Sequence, residues 1–225
     1  MKIVVTGGTK GIGLGIVQEL IENGHEVGIL ARSEDIMMQL SKEYATSSLF
    51  WDVVDFINPA EAVRALNRLI LHMGGIDALV NNAGVIDRSS LADIDLQQFE
   101  YMMRVNVTVP LALTQAVAPQ MEAQEFGHII NISSISGKLP LPNGAGYAAS
   151  KYALTGISES LFMELRDQGI KVSTIFPGSV YSASRNNGGQ DWKVQPREVG
   201  QAVLSMLQTS PQNCIRELEI RPLRK

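Results

Sequence analysis

Apolar residues fall in short runs along this chain, and the spacing within the runs alternates between two kinds. Residues 2–6 form a β-branched run that ends at Gly7 and Gly8, and from Gly11 the apolar positions Ile12, Ile16, Val17 and Leu20 recur at helical spacing as far as Asn23 and Gly24. This reads as strand, glycine turn and amphipathic helix. A second strand is expected over 26–31, a helix over 33–44 and a third strand over 48–53. The alternation continues with helix 59–73, strand 77–81, a long helical region 96–124, strand 127–133, helix 146–168, strand 170–176, helix 196–207 and strand 215–220. Pro110 has no N–H to give and is expected to kink or restart the long helical region near Val109. Strands alternating with helices predict an α/β fold, a doubly wound parallel sheet of seven strands with helices on both faces. Residues 180–195, containing SASRNNGGQDWKV, break the rhythm; polar and Gly-rich, they suit a mobile flap. No linker or repeat divides the chain, so one domain is expected over 1–225.

Composition narrows the classes of function. Hydrophobic residues make up 45% of the chain and charged residues 19%, enough to cover both faces of a buried sheet and too apolar for disorder. The formal charge of -4, with Lys and Arg scattered, predicts neither nucleic acid nor an anionic membrane as partner. Cys214 is the only cysteine, which rules out an internal disulfide, and no Cys/His spacing suggests a metal site. His25, His72 and His128 each fall at the edge of a predicted element, where surface or helix-end roles account for them. The opening MKIVVTGG reaches a glycine turn before a signal-peptide apolar region can develop, and no apolar run approaches a membrane span. The expected location is the reducing cytoplasm.

Two stretches carry candidate chemistry. NISSISGKLPLPNGAGYAASK sets the hydroxyls of Ser134 and Tyr147 on either side of a Gly- and Pro-rich turn and places Lys151 four residues after the tyrosine, on the same helical face. An ammonium close to a phenol favours the phenolate and lowers its pKa toward working pH, which makes the phenol a usable proton donor or acceptor. Directly after the first strand, TGGTKGIG places Gly7, Gly11 and Gly13 at the turn and helix start. Glycines there let backbone N–H groups approach a pyrophosphate, and the helix N-terminus adds partial positive charge. A tight structural turn also favours glycine; the position after the first strand of an alternating chain is the context that a Rossmann-type dinucleotide site requires. At the end of the second strand stand Ala31, Arg32 and Ser33, with no carboxylate at the tip for the ribose of NAD. Arg32 offers a planar fork to the extra phosphate of NADP and Lys10 a second cation, so NADP is the preferred cofactor. NAD stays open if Glu34 or Asp35 folds back onto the ribose.

Taken together these residues resemble the short-chain dehydrogenase/reductase (SDR) family, from Lys2 to about Pro222. TGGTKGIG is similar to the family's T-G-x-x-x-G-x-G turn, with Thr9 and Ile12 among its backbone contacts to the cofactor; NNAG, with Asn82, Ala83 and Gly84, matches the motif after the fourth strand. Asp52, followed by Val53 in WDVVD, stands where family members carry an aspartate near the adenine ring. The resemblance implies a catalytic tetrad of Asn106, Ser134, Tyr147 and Lys151, with Ser134 chosen over Ser133 because the family's serine lies thirteen residues before its tyrosine. Pro177 and Gly178 match the turn beside the nicotinamide, the backbone of Val180 is expected to bond its carboxamide, and Ser182 replaces a more usual threonine.

The activity so implied is hydride transfer between nicotinamide and a carbonyl or secondary alcohol. Tyr147 is the expected proton donor to the developing alkoxide, and Ser134 a hydrogen-bond donor to the same oxygen. Lys151 is expected to tune the tyrosine and hold the nicotinamide ribose, and Asn106 to hold a water that links the lysine to solvent. Candidate substrate walls are Val85, Ile86, Ile135, Leu141, Tyr181 and Trp192, a set without a charge clamp that suits a neutral ketone or aldehyde. Plain packing accounts for each of them equally well. The alternative class is a non-catalytic NADP-binding redox sensor; a sugar-nucleotide epimerase or dehydratase would need a longer substrate region than the stretch after Val180. Apolar stripes on the outer faces of the helices at 96–124 and 146–168 predict a homodimer or homotetramer.

Overall fold

The computed structural model describes residues 1–46, 48–139, 141–182 and 191–224. Among the described residues the strands are β1 (Lys2–Thr6), β2 (Glu26–Ala31), β3 (Leu49–Val53), β4 (Ala78–Asn81), β5 (Gly127–Ile132), β6 (Ile170–Pro177) and β7 (Glu217–Ile220). They form one parallel seven-stranded sheet in the order β3-β2-β1-β4-β5-β6-β7. The helices are α1 (Gly11–Glu22), α2 (Glu34–Glu43), α3 (Pro59–Met73), α4 (Leu96–Met103), α5 (Val109–Ala123), α6 (Ala145–Leu165) and α7 (Pro196–Leu207). This is the Rossmann-type, doubly wound α/β architecture that the alternation of apolar runs predicts.

Burial explains the strand sequences. Every residue of β4, β5 and β6 is buried, as expected where both faces of a parallel sheet are covered. On one face Ile16, Leu20, Met37, Val199 and Val203 of α1, α2 and α7 pack against Ile3, Val5, Ile29 and Ile130. On the other, Leu66 and Leu69 of α3, Leu113 and Val117 of α5 and Leu165 of α6 pack against Val4, Leu30, Leu79 and Ile129. Each such side chain contributes about 1.5–3 kcal/mol on burial. The edge strand β7 alternates exposed and partly buried positions, because only part of it is covered. Helix boundaries follow local chemistry: before α3 the Asn58 side chain accepts hydrogen bonds from the N–H groups of Ala60 and Glu61, Pro59 opens the helix, and left-handed Gly74 closes it.

The chain runs outward from β1 to β2 and β3, then returns through α3 to β4 on the other flank of β1. The turns leaving β1 and β4 therefore diverge, which opens a crevice at the carboxyl ends of these strands.

The interruption expected near Val109 and Pro110 is present: a π turn over Arg104–Thr108, in which the Val109 N–H reaches the Arg104 carbonyl, separates α4 from α5, which restarts at Val109. Pro110 then sits in the first turn of α5, where a missing N–H costs nothing. Of the flap expected over 180–195, residues 183–190 lie outside the described ones. Its ends are joined: Tyr181 N donates to Val194 O (2.9 Å) and Val194 N to Ser179 O (3.0 Å). No helix among the described residues is long and apolar enough to cross a membrane.

Candidate active site

The glycine turn lies at the mouth of the crevice, between the ends of β1 and β4. Gly11 is left-handed (φ +53), and a Cβ there would meet nothing within 4 Å, so the space over the turn is open. Gly13 is the opposite case: a Cβ would lie 2.1 Å from the Gly7 carbonyl oxygen and 2.5 Å from Asn82 Nδ2, so only glycine lets α1 begin this close to the turn. Asn82 Nδ2 donates to Thr6 O (2.9 Å) and Gly7 O (3.3 Å). Thr6 Oγ1 accepts from the N–H groups of Asn82 (3.0 Å) and Ala83 (2.9 Å). Thr6 thus ties the glycine turn to NNAG, a role that reading the glycines alone passes over. Thr9 is buried, Ile12 half-buried and Lys10 exposed at the N-cap of α1. Open space over a turn whose backbone is pinned from below fits the pyrophosphate of a dinucleotide.

Arg32 is exposed and Ser33 half-buried at the tip of β2, and Val53 at the tip of β3 pairs in register with Ala31. Asp52 does not stand alone: its Oδ2 accepts a hydrogen bond from Arg68 Nε of α3 at 2.8 Å.

At the inner end of the crevice, Asn106, Ser150, Tyr147, Lys151 and the Gly84–Val85 backbone converge. Asn106 occupies the π turn and is 1% exposed. Its Oδ1 accepts from Val85 N (2.8 Å), and its Nδ2 donates to Val85 O (2.8 Å) and to Ser150 Oγ (3.0 Å). Ser150 Oγ in turn donates to Tyr147 O (2.8 Å). Both N–H groups of the amide are thus used in joining β4's loop to α6, so a water at Asn106 has to be held by its remaining acceptor capacity. Lys151 is 5% exposed, donates from Nζ to Ile132 O (2.8 Å), and lies 5.9 Å from the centre of the Tyr147 ring. A Cβ on Gly84 would lie 3.8 Å from Lys151 Nζ. Burial lowers the Lys151 pKa from 10.5 to about 8.

Ser133 and Ser134 point apart, as strand alternation expects. Ser133 Oγ is turned into α6, donating to Lys151 O (3.3 Å) and sharing a hydrogen bond with Thr155 Oγ1 (3.2 Å). Ser134 Oγ accepts from Ser136 N (3.1 Å), which leaves its own proton to give. Pro177 ends β6 and Gly178 N bonds Ile220 O of β7 (2.8 Å). Val180 pairs with Val194 in a parallel bridge through the groups of its neighbours, so its own N–H faces away from Val194. Among the candidate walls Val85, Ile135, Tyr181 and Trp192 are half-buried, Ile86 and Leu141 are exposed, and Ser182 is half-buried. Ser150, the Val85 backbone and Arg68 are the participants that sequence reading missed. Ser150 lies within YAASK, three residues after the tyrosine, where a hydroxyl can reach back along the helix.

A glycine turn feeding a helix at the switch point of a parallel sheet is the arrangement that suits a dinucleotide, and a buried lysine stands beside a tyrosine at the inner end of the same crevice. Comparison gives the family. A family model for short chain dehydrogenases matches residues 1–192. An uncharacterised oxidoreductase of Staphylococcus saprophyticus is 32% identical over 227 residues, covering 98% of this chain and 96% of its own. The closed form of serine dehydrogenase complexed with NADP+ aligns with a TM-score of 0.91 at 28% identity, over 99% of this chain and 95% of that one. A metagenomic short-chain oxidoreductase in complex with NADP aligns with a TM-score of 0.88 at 30% identity, over 100% and 98%. The chain belongs to the short-chain dehydrogenase family and is an oxidoreductase.

Proposed function

We propose that this enzyme is an NADP-dependent oxidoreductase that interconverts a carbonyl compound and a secondary alcohol, with Tyr147 as its general acid and base. The observation that carries the reading is the buried Lys151 ammonium, held by Ile132 O beside the Tyr147 ring and Gly84. Keeping a lysine charged in such a place destabilises the fold, and its use is to favour the phenolate. When bound, the nicotinamide supplies the hydride in reduction and accepts it in oxidation. Tyr147 gives its proton to the oxygen that develops negative charge as the carbonyl carbon is reduced. Ser134, oriented by Ser136 N, donates a hydrogen bond to the same oxygen and stabilises charge that appears only in the transition state. Asn106 fixes the Gly84–Val85 backbone against α6 and, through Ser150, the turn that carries Tyr147. Half-buried Val85, Ile135 and Tyr181 favour a neutral ketone or aldehyde.

NADP is preferred on two grounds: Arg32 and Lys10 are exposed at the β2 tip and the glycine turn, and related structures hold NADP. Exposed Leu111 and Met163 on the outer faces of α5 and α6 support pairing of two copies there.

The test is NADPH oxidation with a panel of ketones, aldehydes and 3-oxoacyl thioesters. Turnover that falls by about 10² or more in Tyr147→Phe is expected. Tight NADPH binding without any oxidation would instead favour a redox sensor. Titration of NADPH and NADH against Arg32→Ala tests the cofactor: NADPH affinity is expected to fall at least about tenfold with NADH little changed, and equal loss for both would remove the phosphate role of Arg32.

A further inference from the structure

β5 ends at Ile132, so the Ser134 hydroxyl stands beyond the strand, at the head of a 3-10 turn over Ile135–Gly137. That turn is bonded within itself. Gly137 N donates to Ser134 O (2.8 Å), and the N–H groups of Lys138 (3.0 Å) and Leu139 (2.8 Å) donate to Ile135 O. Residues 134–139 therefore shift as one piece, and whatever holds the far end of the piece holds Ser134.

The middle of the turn rests on α6. A Cβ on Gly137 would lie 2.6 Å from Ser133 Oγ, 2.9 Å from Lys151 O and 2.9 Å from Thr155 Oγ1, so only glycine lets the turn come this close. Such a contact limits how near the turn can approach and does little to stop it lifting away, because glycine has no side chain to bond with. The hold comes one residue on. Tyr152, which follows Lys151 on α6, donates from its phenol to Lys138 O, fourteen positions away. From the other side Lys138 Nζ donates to Glu217 Oε2 of β7 (2.5 Å) and stands 4.1 Å from the centre of the buried Phe176 ring, directly before Pro177. With side-chain exposures of 32% and 35% that ion pair is the weaker hold. Only the phenol ties the turn to the helix that carries Tyr147 and Lys151.

Tyr152 is five positions after Tyr147, which places it about 140° around the helix from the proposed acid, and it is 44% exposed. It acts through the backbone and not on the reacting atoms. We propose that Tyr152 is a positioning residue: its bond to the Lys138 carbonyl clasps the 3-10 turn onto α6 and so sets the separation of Ser134 Oγ and the Tyr147 phenol at which both meet one substrate oxygen. This rests on the reading that Ser134 donates to that oxygen.

The test is Tyr152→Phe, which keeps the ring and removes only the donor, alone and combined with Ser134→Ala. A crystal structure of Tyr152→Phe is expected to show Ser134 Oγ displaced from the Tyr147 phenol by about 0.5 Å or more relative to wild type. Turnover with NADPH and the ketone or aldehyde that the panel shows to be reduced fastest is expected to fall about tenfold, with the substrate KM and NADPH affinity little changed. In the Ser134→Ala background, read by single turnovers where the rate is low, the same substitution is expected to cost less than about twofold. An unmoved Ser134 in Tyr152→Phe, normal turnover in that variant, or the same tenfold loss in both backgrounds overturns the proposal. Normal turnover in Ser134→Ala alone is a different failure: it strikes the role given to Ser134 in the proposed function, and the clasp loses its catalytic meaning with it.

Discussion

Replacing Lys151 by methionine is expected to stabilise the protein while abolishing its chemistry. The side chain is 5% exposed, and its pKa falls from 10.5 to about 8 because burial penalises the charged form. At about 1.36 kcal/mol per pH unit, the charged lysine costs the fold roughly 3 kcal/mol near pH 7.5 relative to the unfolded chain. Methionine removes that cost and fills the same space. It also removes the hydrogen bond to Ile132 O, a loss of about 1–2 kcal/mol. A net gain of about 1–2 kcal/mol at pH 7.5 follows, with activity down by about 10² or more.

The pH dependence makes the reasoning refutable. Between about 8 and 10.5 the unfolded wild-type chain binds the Lys151 proton and the folded one does not, so wild-type stability rises with pH across that window. Tyr147, whose titration Lys151 is proposed to set, is replaced by phenylalanine in both proteins for this comparison, and the other lysines and tyrosines titrate equally in both and cancel in the difference. The advantage of Lys151→Met should therefore shrink by about 2 kcal/mol between pH 7.5 and pH 10, whatever the size of the offsets that do not titrate. Urea unfolding of both cofactor-free proteins at the two pH values measures it. Stability differences that stay the same at both would show that Lys151 does not carry a desolvated charge.

His128 on β5 is 2% exposed, shares a hydrogen bond with Ser173 Oγ (2.8 Å), and has its pKa lowered from 6.5 to about 3, first by burial and then by the charge of Lys171. Its contribution is complete above pH 6.5 and is lost as the pH falls toward 3, so by pH 5 about 2 kcal/mol should have gone; His128→Gln should flatten this acid limb in a stability–pH profile, and an unchanged limb would remove His128 as its source. Gly13→Ala drives a methyl group to 2.1 Å from the Gly7 carbonyl oxygen, so NADPH affinity should fall by about 10² or more and stability by about 1–3 kcal/mol, and near-normal binding in a calorimetric titration would contradict the packing of the turn.

The parts of this structure legible in the sequence are those set by local spacing. Ile12, Ile16, Val17 and Leu20 mark α1 because one face of a helix repeats every three or four residues, and the fully buried β4, β5 and β6 read as apolar runs because both their faces are covered. The glycine turn is visible for the same reason, since its constraint lies within seven residues. What was not legible depends on long-range meetings. Arg68 finds Asp52 across α3, Thr6 finds Asn82 and Ala83 across 76 and 77 positions, and Asn106 finds the Val85 backbone across 21. No periodicity encodes such pairs, and a main-chain partner such as Val85 leaves no mark of residue type at all.

The helix break before Pro110 shows how these two kinds of information combine. Pro110 announces that the helix is interrupted, but not the form of the interruption. The π turn lies at Arg104–Thr108 and carries Asn106 inward against Val85 and Ser150. A buried amide whose two N–H groups and oxygen are all engaged is costly to remove, because each partner would lose its hydrogen bond inside the protein. The same amide holds the backbone that borders Lys151 and the turn that bears Tyr147. Loss of turnover in an Asn106 variant would therefore mix a slackened joint with any lost proton path. Ser150 enters the same joint from α6, accepting from Asn106 Nδ2 and donating to the Tyr147 carbonyl. Loosening the joint at Ser150 is therefore expected to release the turn that bears Tyr147 while the two Asn106 hydrogen bonds to the Val85 backbone stay in place.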